Sequence, residues 1–248
     1  MSYERFAFVY DELMQEAPYE QWVKFIEQKL AQYGINGKRM LDLACGTGEL
    51  SVRFASRGFN VTGVDLSAEM LTVARQKTEE MGLTIPLYQQ DMAELEGLGP
   101  FDFIGIFCDS LNYLQTEEQV KKTFSRVFQC LKTGGAFFFD VHSIEKISNG
   151  FIGQTFALNE EQLAYIWNSF PGEYPNSVEH ELSFFVLDEQ SGKYDRFDEL
   201  HLQRTFPIEQ YSQWLKEAGF QSIEVNADFT EADPQPSSER IFFSARKK

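Results

Sequence analysis

MLDLACGTGEL, residues 40–50, decides the fold. An apolar strand runs straight into Gly46-Thr47-Gly48 and then into a segment with helical character. Glycines at such a junction let the backbone turn tightly and approach a ligand with no Cβ in the way. The helix behind them offers unpaired N–H groups and a partial positive charge. Nineteen residues beyond Gly46, Asp65 closes the next strand-like run, where a carboxylate can accept both hydroxyls of a ribose.

Outward from this loop, the two element types alternate. Strands are predicted over 39–44, 60–64, 86–89, 101–107 and 136–141, and helices over 47–56, 67–81 and 116–131. Ser67 suits an N-cap, and Thr116 with Gln119 a capping box. The strands are nearly continuous apolar runs, as expected of a parallel sheet covered on both faces. Two helices precede the first strand, at 3–14 and 18–33. Beyond His142 the pattern changes. Residues 143–177 resist assignment, whereas 178–187 and 194–206 alternate around DEQSGK as a β-hairpin. A helix over 207–218 and strands at 220–226 and 240–246 complete the chain. The fold class is therefore α/β with a doubly wound sheet. Its expected parts are a helical cap (1–35), the α/β domain (36–141 and 207–248) and an inserted β-rich lobe (142–206).

The same loop logic serves a dinucleotide, so its details discriminate. A dinucleotide fingerprint places a third glycine where this chain has Ser51, and a pyrophosphate sits badly beside Asp42. A methionine-like zwitterion with an ammonium and a sulfonium tolerates that acid. A nicotinamide-dependent oxidoreductase is thus the weaker reading. A non-catalytic partner subunit that binds the cofactor is a third.

Five segments resemble, in order and at family spacing, the motifs of class I S-adenosylmethionine-dependent methyltransferases of the small-molecule type. They are LDLACGTGEL, VTGVDLSAEM (61–70), QQDMAEL (89–95), FDFIGIFCDSLNYL (101–114) and LKTGGAFFFDV (131–141). The resemblance covers about residues 38–141 and implies a seven-stranded, mostly parallel sheet whose last strand is antiparallel. It implies S-adenosyl-L-methionine as cofactor and S-adenosyl-L-homocysteine as product. By position, Ala44, Gly46 and Gly48 would bring backbone against the methionine end, with Asp42 nearby. Asp65 would hold the ribose hydroxyls, Leu66 would pack near the adenine, and Asp91 and Met92 would meet its amino edge. Phe107, Cys108 and Asp109 would lie beside the sulfonium. Ala44 departs from the pattern, since the family often has another glycine there. The pattern YxxFAxxYD (Tyr3, Phe6, Ala7, Tyr10, Asp11) is similar to the N-terminal cap of small-molecule members, whose tyrosine closes over the cofactor; Tyr10 takes that place here.

The methyl acceptor is not written in a motif. It should meet the cofactor at the carboxyl ends of the strands, where His142 is the best-placed base by residue type. An aromatic of the lobe, Trp167 or a neighbour, is expected to line its pocket. A net charge of −16, with neither half of the chain basic, disfavours a nucleic-acid substrate. CDSLNY also lacks the Pro-Pro-aromatic sequence of amino-directed DNA methyltransferases. Three cysteines without CxxC spacing argue against a disulfide framework or a zinc site. No metal is expected. The first residues hold no leader-like apolar run, and no stretch reaches the ~20 apolar residues of a membrane span, so the expected setting is cytoplasmic. The sequence is silent on oligomeric state.

Overall fold

The computed structural model describes residues 2–248, except for the side chains of residues 2–6 and 8. Tyr3 and Phe6 of the cap pattern therefore lie outside the described side chains.

Seven strands form one sheet in the order β10-β11-β5-β4-β1-β2-β3. They are β1 (Arg39–Leu43), β2 (Asn60–Asp65), β3 (Leu87–Gln89), β4 (Phe101–Ile106), β5 (Leu131–His142), β10 (Gln221–Ala227) and β11 (Arg240–Arg246). Pairings among β1–β5 are parallel; β11 runs antiparallel to both of its neighbours. This is the doubly wound, mostly parallel sheet with an antiparallel final strand. The helices are α1 (Ser2–Leu13), α2 (Tyr19–Tyr33), α3 (Glu49–Ser56), α4 (Ala68–Glu80), α5 (Glu117–Cys130) and α6 (Ile208–Ala218).

Burial on both sheet faces explains the unbroken apolar strands. Phe137 and Phe139 of β5 pack with α5 and α6 through Phe124, Tyr211 and Trp214, while Phe138 turns to the opposite core with Phe25, Phe103 and Phe242. The stripe Val120, Phe124, Val127 on α5 is buried, and its capping box forms as the spacing predicts.

The boundaries shift where backbone geometry overrides pattern. β1 stops at Leu43 because Ala44 adopts φ +62°, and α3 begins at Glu49 because Gly46 and Gly48 take φ +54° and +80° within the loop. α5 ends at Cys130, and β5 starts at Leu131, five residues before the expected 136. Pro18 and Pro207 are N-caps rather than first helical residues.

A second sheet, in the order β6-β7-β8-β9, holds β6 (Thr155–Asn159), β7 (Leu163–Pro171), β8 (Ser177–Asp188) and β9 (Lys193–Arg204). β8 and β9 are the expected hairpin. β6 and β7 escaped sequence reading because β7 (LAYIWNSFP) carries apolar residues on both faces, which erases the period of two. This sheet leaves the main one at His142 and returns at Thr205, whose hydroxyl donates to the His142 carbonyl at 2.7 Å. Leu163, Phe184 and their neighbours pack on Ala7 and Val9 of α1 and on Met70 of α4. The lobe and α1 together therefore roof the carboxyl edge of the main sheet. Among the described residues, no helix is long and apolar enough to cross a membrane.

Candidate active site

A cavity of about 640 Å³ opens at that edge, within the ~300–1,000 Å³ usual for small-molecule sites. The ends of β1, β2 and β4, the segment after β3, α1, the start of α2 and β9 all contribute to its wall.

The glycine loop is held by two carboxylates. Asp65 accepts from the Gly46 amide at 2.7 Å with one oxygen and from the Ser67 amide at 2.9 Å with the other. It is thus a loop clamp and a turn cap, and it also faces the cavity. Burial pushes its pKa up, against the pull of those amides. Asp42 accepts from Ser51 Oγ at 2.5 Å, and burial pushes its pKa up to about 7. Ser51 at the third-glycine position therefore supplies a hydroxyl hydrogen bond to the buried Asp42, for which a glycine has no side chain. Ala44 stands at φ +62°, a conformation that favours glycine, consistent with the glycine the family often has there.

Ala44, Gly46, Leu66, Asp91, Met92, Phe107, Cys108 and Tyr10 all line the cavity. Leu66 is 65% exposed, with its side chain on the wall. Asp91 caps the short turn that follows, accepting from the Ala93 amide at 2.8 Å. Gly48 does not reach the wall. Its left-handed backbone starts α3, and a Cβ there would lie 3.2 Å from the Ala74 Cβ.

Two further expected site residues sit elsewhere. Asp109 and His142 are absent from the cavity wall. They pair behind it, His142 Nε2 to Asp109 Oδ2 at 3.2 Å. Asp109 also meets Arg240 Nη2 at 3.0 Å and accepts from Gln203 Nε2 at 2.8 Å. Burial alone would raise its pKa, but His142 and Arg240 hold it well below the usual carboxylate range. Backbone geometry turns the side chain away. Cys108 and Asp109 both stand at φ +53°, and their amides donate to Asp140 at 3.1 and 3.0 Å. Asp140, fully buried, also accepts from Trp22 Nε1 at 2.7 Å and pairs with Arg240. His142 instead borders a smaller cavity of about 240 Å³ beside the start of α6. Trp167 is likewise off the wall; it donates to His180 Nδ1 at 2.9 Å and packs on Phe151 at the root of the lobe.

Sequence reading missed Tyr19, Glu49 and His201, which join Tyr113 on the wall. Tyr113 Oη and His201 Nδ1 lie 3.1 Å apart. Glu49 is paired with Lys77 at 2.6 Å. One signal was available for His201: the end of β9 reads polar inward. Glu199, His201 and Gln203 are buried while Leu200 and Leu202 are exposed. A buried polar row is the informative departure from ordinary strand patterning. The cap helix is latched over the loop, since Asp11 accepts from Thr47 Oγ1 at 2.5 Å and pairs with Lys77 at 2.7 Å.

Comparisons with known proteins show the family. Residues 40–135 match the family model described as a methyltransferase domain. The chain is 53% identical to the "Putative methyltransferase YqeM" of Bacillus subtilis (strain 168), over 100% of this chain and 98% of that one. It is 54% identical to a Geobacillus sp. (strain WCH70) protein of the same description, over the whole of both. A solved S-adenosylmethionine-dependent methyltransferase from Clostridium acetobutylicum ATCC 824 superposes with a TM-score of 0.88 at 32% identity, covering 99% of each chain.

Proposed function

We propose that this chain, which belongs to the class I S-adenosylmethionine-dependent methyltransferases, methylates a small molecule held under the lobe. The observation that carries this reading is the roof. α1 and β9 close over the strand ends, with Tyr10, Tyr113 and His201 facing inward, which leaves room for a small acceptor and none for a duplex. The division into cap (1–35), cofactor domain (36–141 and 207–248) and acceptor lobe (142–206) is part of the same reading.

The residues present fit the cofactor. The cradle at Ala44 and Gly46 presents backbone, Asp65 and Asp91 face the cavity as hydroxyl and amino acceptors, and Asp42 and Glu49 suit an ammonium group. When bound, the cofactor supplies an electrophilic methyl group on a sulfonium. The chain's own part is to orient the two reactants in line and to exclude water. Asp65 holds the ribose, Leu66 and Met92 cover the base, and Tyr10 closes the site from α1. Asp140 fixes the Cys108 and Asp109 amides, and so the turn that carries Cys108 on the wall.

A transfer assay tests the acceptor class. Labelled methyl from S-adenosylmethionine is offered to DNA, RNA, protein and a metabolite fraction below about 1 kDa. Label is expected in the metabolite fraction. Label confined to a macromolecule would overturn the reading.

Asp42 gives the site a pH signature. Its folded pKa of about 7 lies above the ordinary carboxylate range, so the free protein holds that proton through the window from about pH 4 to 7. The folded state binds more protons than the unfolded one there. Asp42's contribution to stability is therefore present at low pH and lost as the pH rises through 7. An ammonium placed beside it reverses the preference and expels the proton. S-adenosylhomocysteine affinity should accordingly climb with pH up to about 7, by as much as about tenfold per pH unit. Asp42→Asn should flatten the profile. A profile equally steep in that variant would remove Asp42 from the site.

A further inference from the structure

We propose that the methyl acceptor is a small amine, reacting in its uncharged form, whose nitrogen is received against the paired Tyr113 and His201. The proposal rests on the methyl-transfer reading above and names the substrate class of that same site.

The first support is the inverted end of β9. Leu200 and Leu202 face solvent while Glu199, His201 and Gln203 are buried. A strand tolerates that reversal where its inward polar groups have something to meet. Gln203 meets Asp109, and His201 meets Tyr113 with its ring on the cavity wall. The lobe thus delivers a polar ring edge to the acceptor end. That end is identified by its neighbours. Tyr10, Tyr19 and Tyr113 share the cavity wall with Phe107 and Cys108, which follow β4.

The second support is the proton inventory. An alcohol or phenol sheds its proton as it attacks, and needs a base of near-neutral strength facing it. Burial drives the His201 pKa down to about 4, which leaves a neutral, weakly basic imidazole. Burial pushes the Tyr10 and Tyr19 phenols up, so they stay protonated. Asp42, whose pKa lies near 7, lines the wall, accepts from Ser51 Oγ and is taken by the cofactor's ammonium group in this reading, so it is not a base for the acceptor. These groups donate and accept hydrogen bonds but do not strip a hydroxyl. An amine that has left its proton in bulk water before entry needs no such help in the transfer step. Its lone pair forms the new N–C bond as the S–C bond breaks, with that bond's electron pair staying on sulfur. The positive charge passes from sulfur to nitrogen, and the product ammonium afterwards loses a proton to water.

The third support is charge. The described residues of the wall include Asp42, Glu49, Asp65, Glu69 and Asp91, and no lysine or arginine is among them. A carboxylate or phosphate on the acceptor would find no counter-charge there. Positive charge passing from sulfur to nitrogen meets the aromatic faces of the wall instead.

Three measurements test this. Sinefungin carries an amine where the cofactor carries its reactive methyl, so its affinity relative to S-adenosylhomocysteine reads the acceptor end directly. It should bind about tenfold tighter or better; equal or weaker binding overturns the proposal. Next, labelled methyl transfer is compared across matched skeletons: ethanolamine, ethylene glycol and glycolate, then benzylamine, benzyl alcohol and benzoate. Label should enter amines alone. Label in an alcohol or carboxylate, or in no amine while S-adenosylhomocysteine binds normally, overturns the assignment. Failure of S-adenosylhomocysteine to bind would instead strike the methyltransferase reading itself. Finally, His201→Asn should cut kcat/KM for the labelled amine about tenfold with the S-adenosylhomocysteine Kd unchanged within about twofold. An equal fall in cofactor affinity would place His201 on the cofactor and overturn its role as an acceptor contact.

Discussion

Asp65→Ala should raise the S-adenosylhomocysteine Kd by about 100-fold or more, a loss of roughly 3 kcal/mol. Two effects add. The ribose loses charge-assisted hydrogen bonds, and the glycine loop loses its clamp. The Gly46 and Ser67 amides each give up a carboxylate oxygen, at 2.7 and 2.9 Å, so the loop that must meet the cofactor is no longer pre-formed. Both amides sit in partly buried surroundings, and the variant should also melt a few degrees earlier, in line with about 1–2 kcal/mol. Calorimetric titration of the folded variant is the check. A Kd within twofold of the parent's would reduce Asp65 to a turn cap.

Arg240→Met should cost about 3–5 kcal/mol of stability, the range for stripping one partner from a buried ion cluster. Arg240 stands between the fully buried Asp140 and the 19% exposed Asp109, and its removal leaves Asp140 without a cation and Asp109 with His142 alone. Asp140 cannot compensate by turning away. Its oxygens also hold the amides of Cys108 and Asp109 and the indole of Trp22. The double variant Arg240→Met/Asp140→Asn should be less unstable than the sum of its single changes, by about 1–3 kcal/mol, because the second change removes one of the stranded charges. Denaturant titration of all four species decides it. Strict additivity would mean that the three side chains do not act as one unit.

The placement of this cluster separates what was legible from what was not. Asp109 follows β4 at the position where the family resemblance puts a wall residue. Yet two consecutive left-handed residues rotate its side chain behind the wall. Nothing in CDSLNY announces φ +53° at a cysteine and an aspartate, since both conformations are held by Asp140 from another strand. His142 fails to reach the cavity for the same reason, because its imidazole answers the charge of Asp109. Tyr113 and His201, 88 residues apart in the chain, meet only because β9 folds back over the main sheet.

Short-range spacing was enough for the alternating strands and helices, the glycine loop, Asp65 at the end of β2 and the capping box of α5. Each of these depends on residues within a few positions of one another: apolar period, a turn that needs glycine, a hydroxyl three residues from an amide. β6 and β7, the buried cluster around Asp140 and the meeting of His201 with Tyr113 on the cavity wall emerged only once the chain was folded. Those depend on groups brought together across the chain, where burial and paired charge, rather than local spacing, set which way a side chain turns.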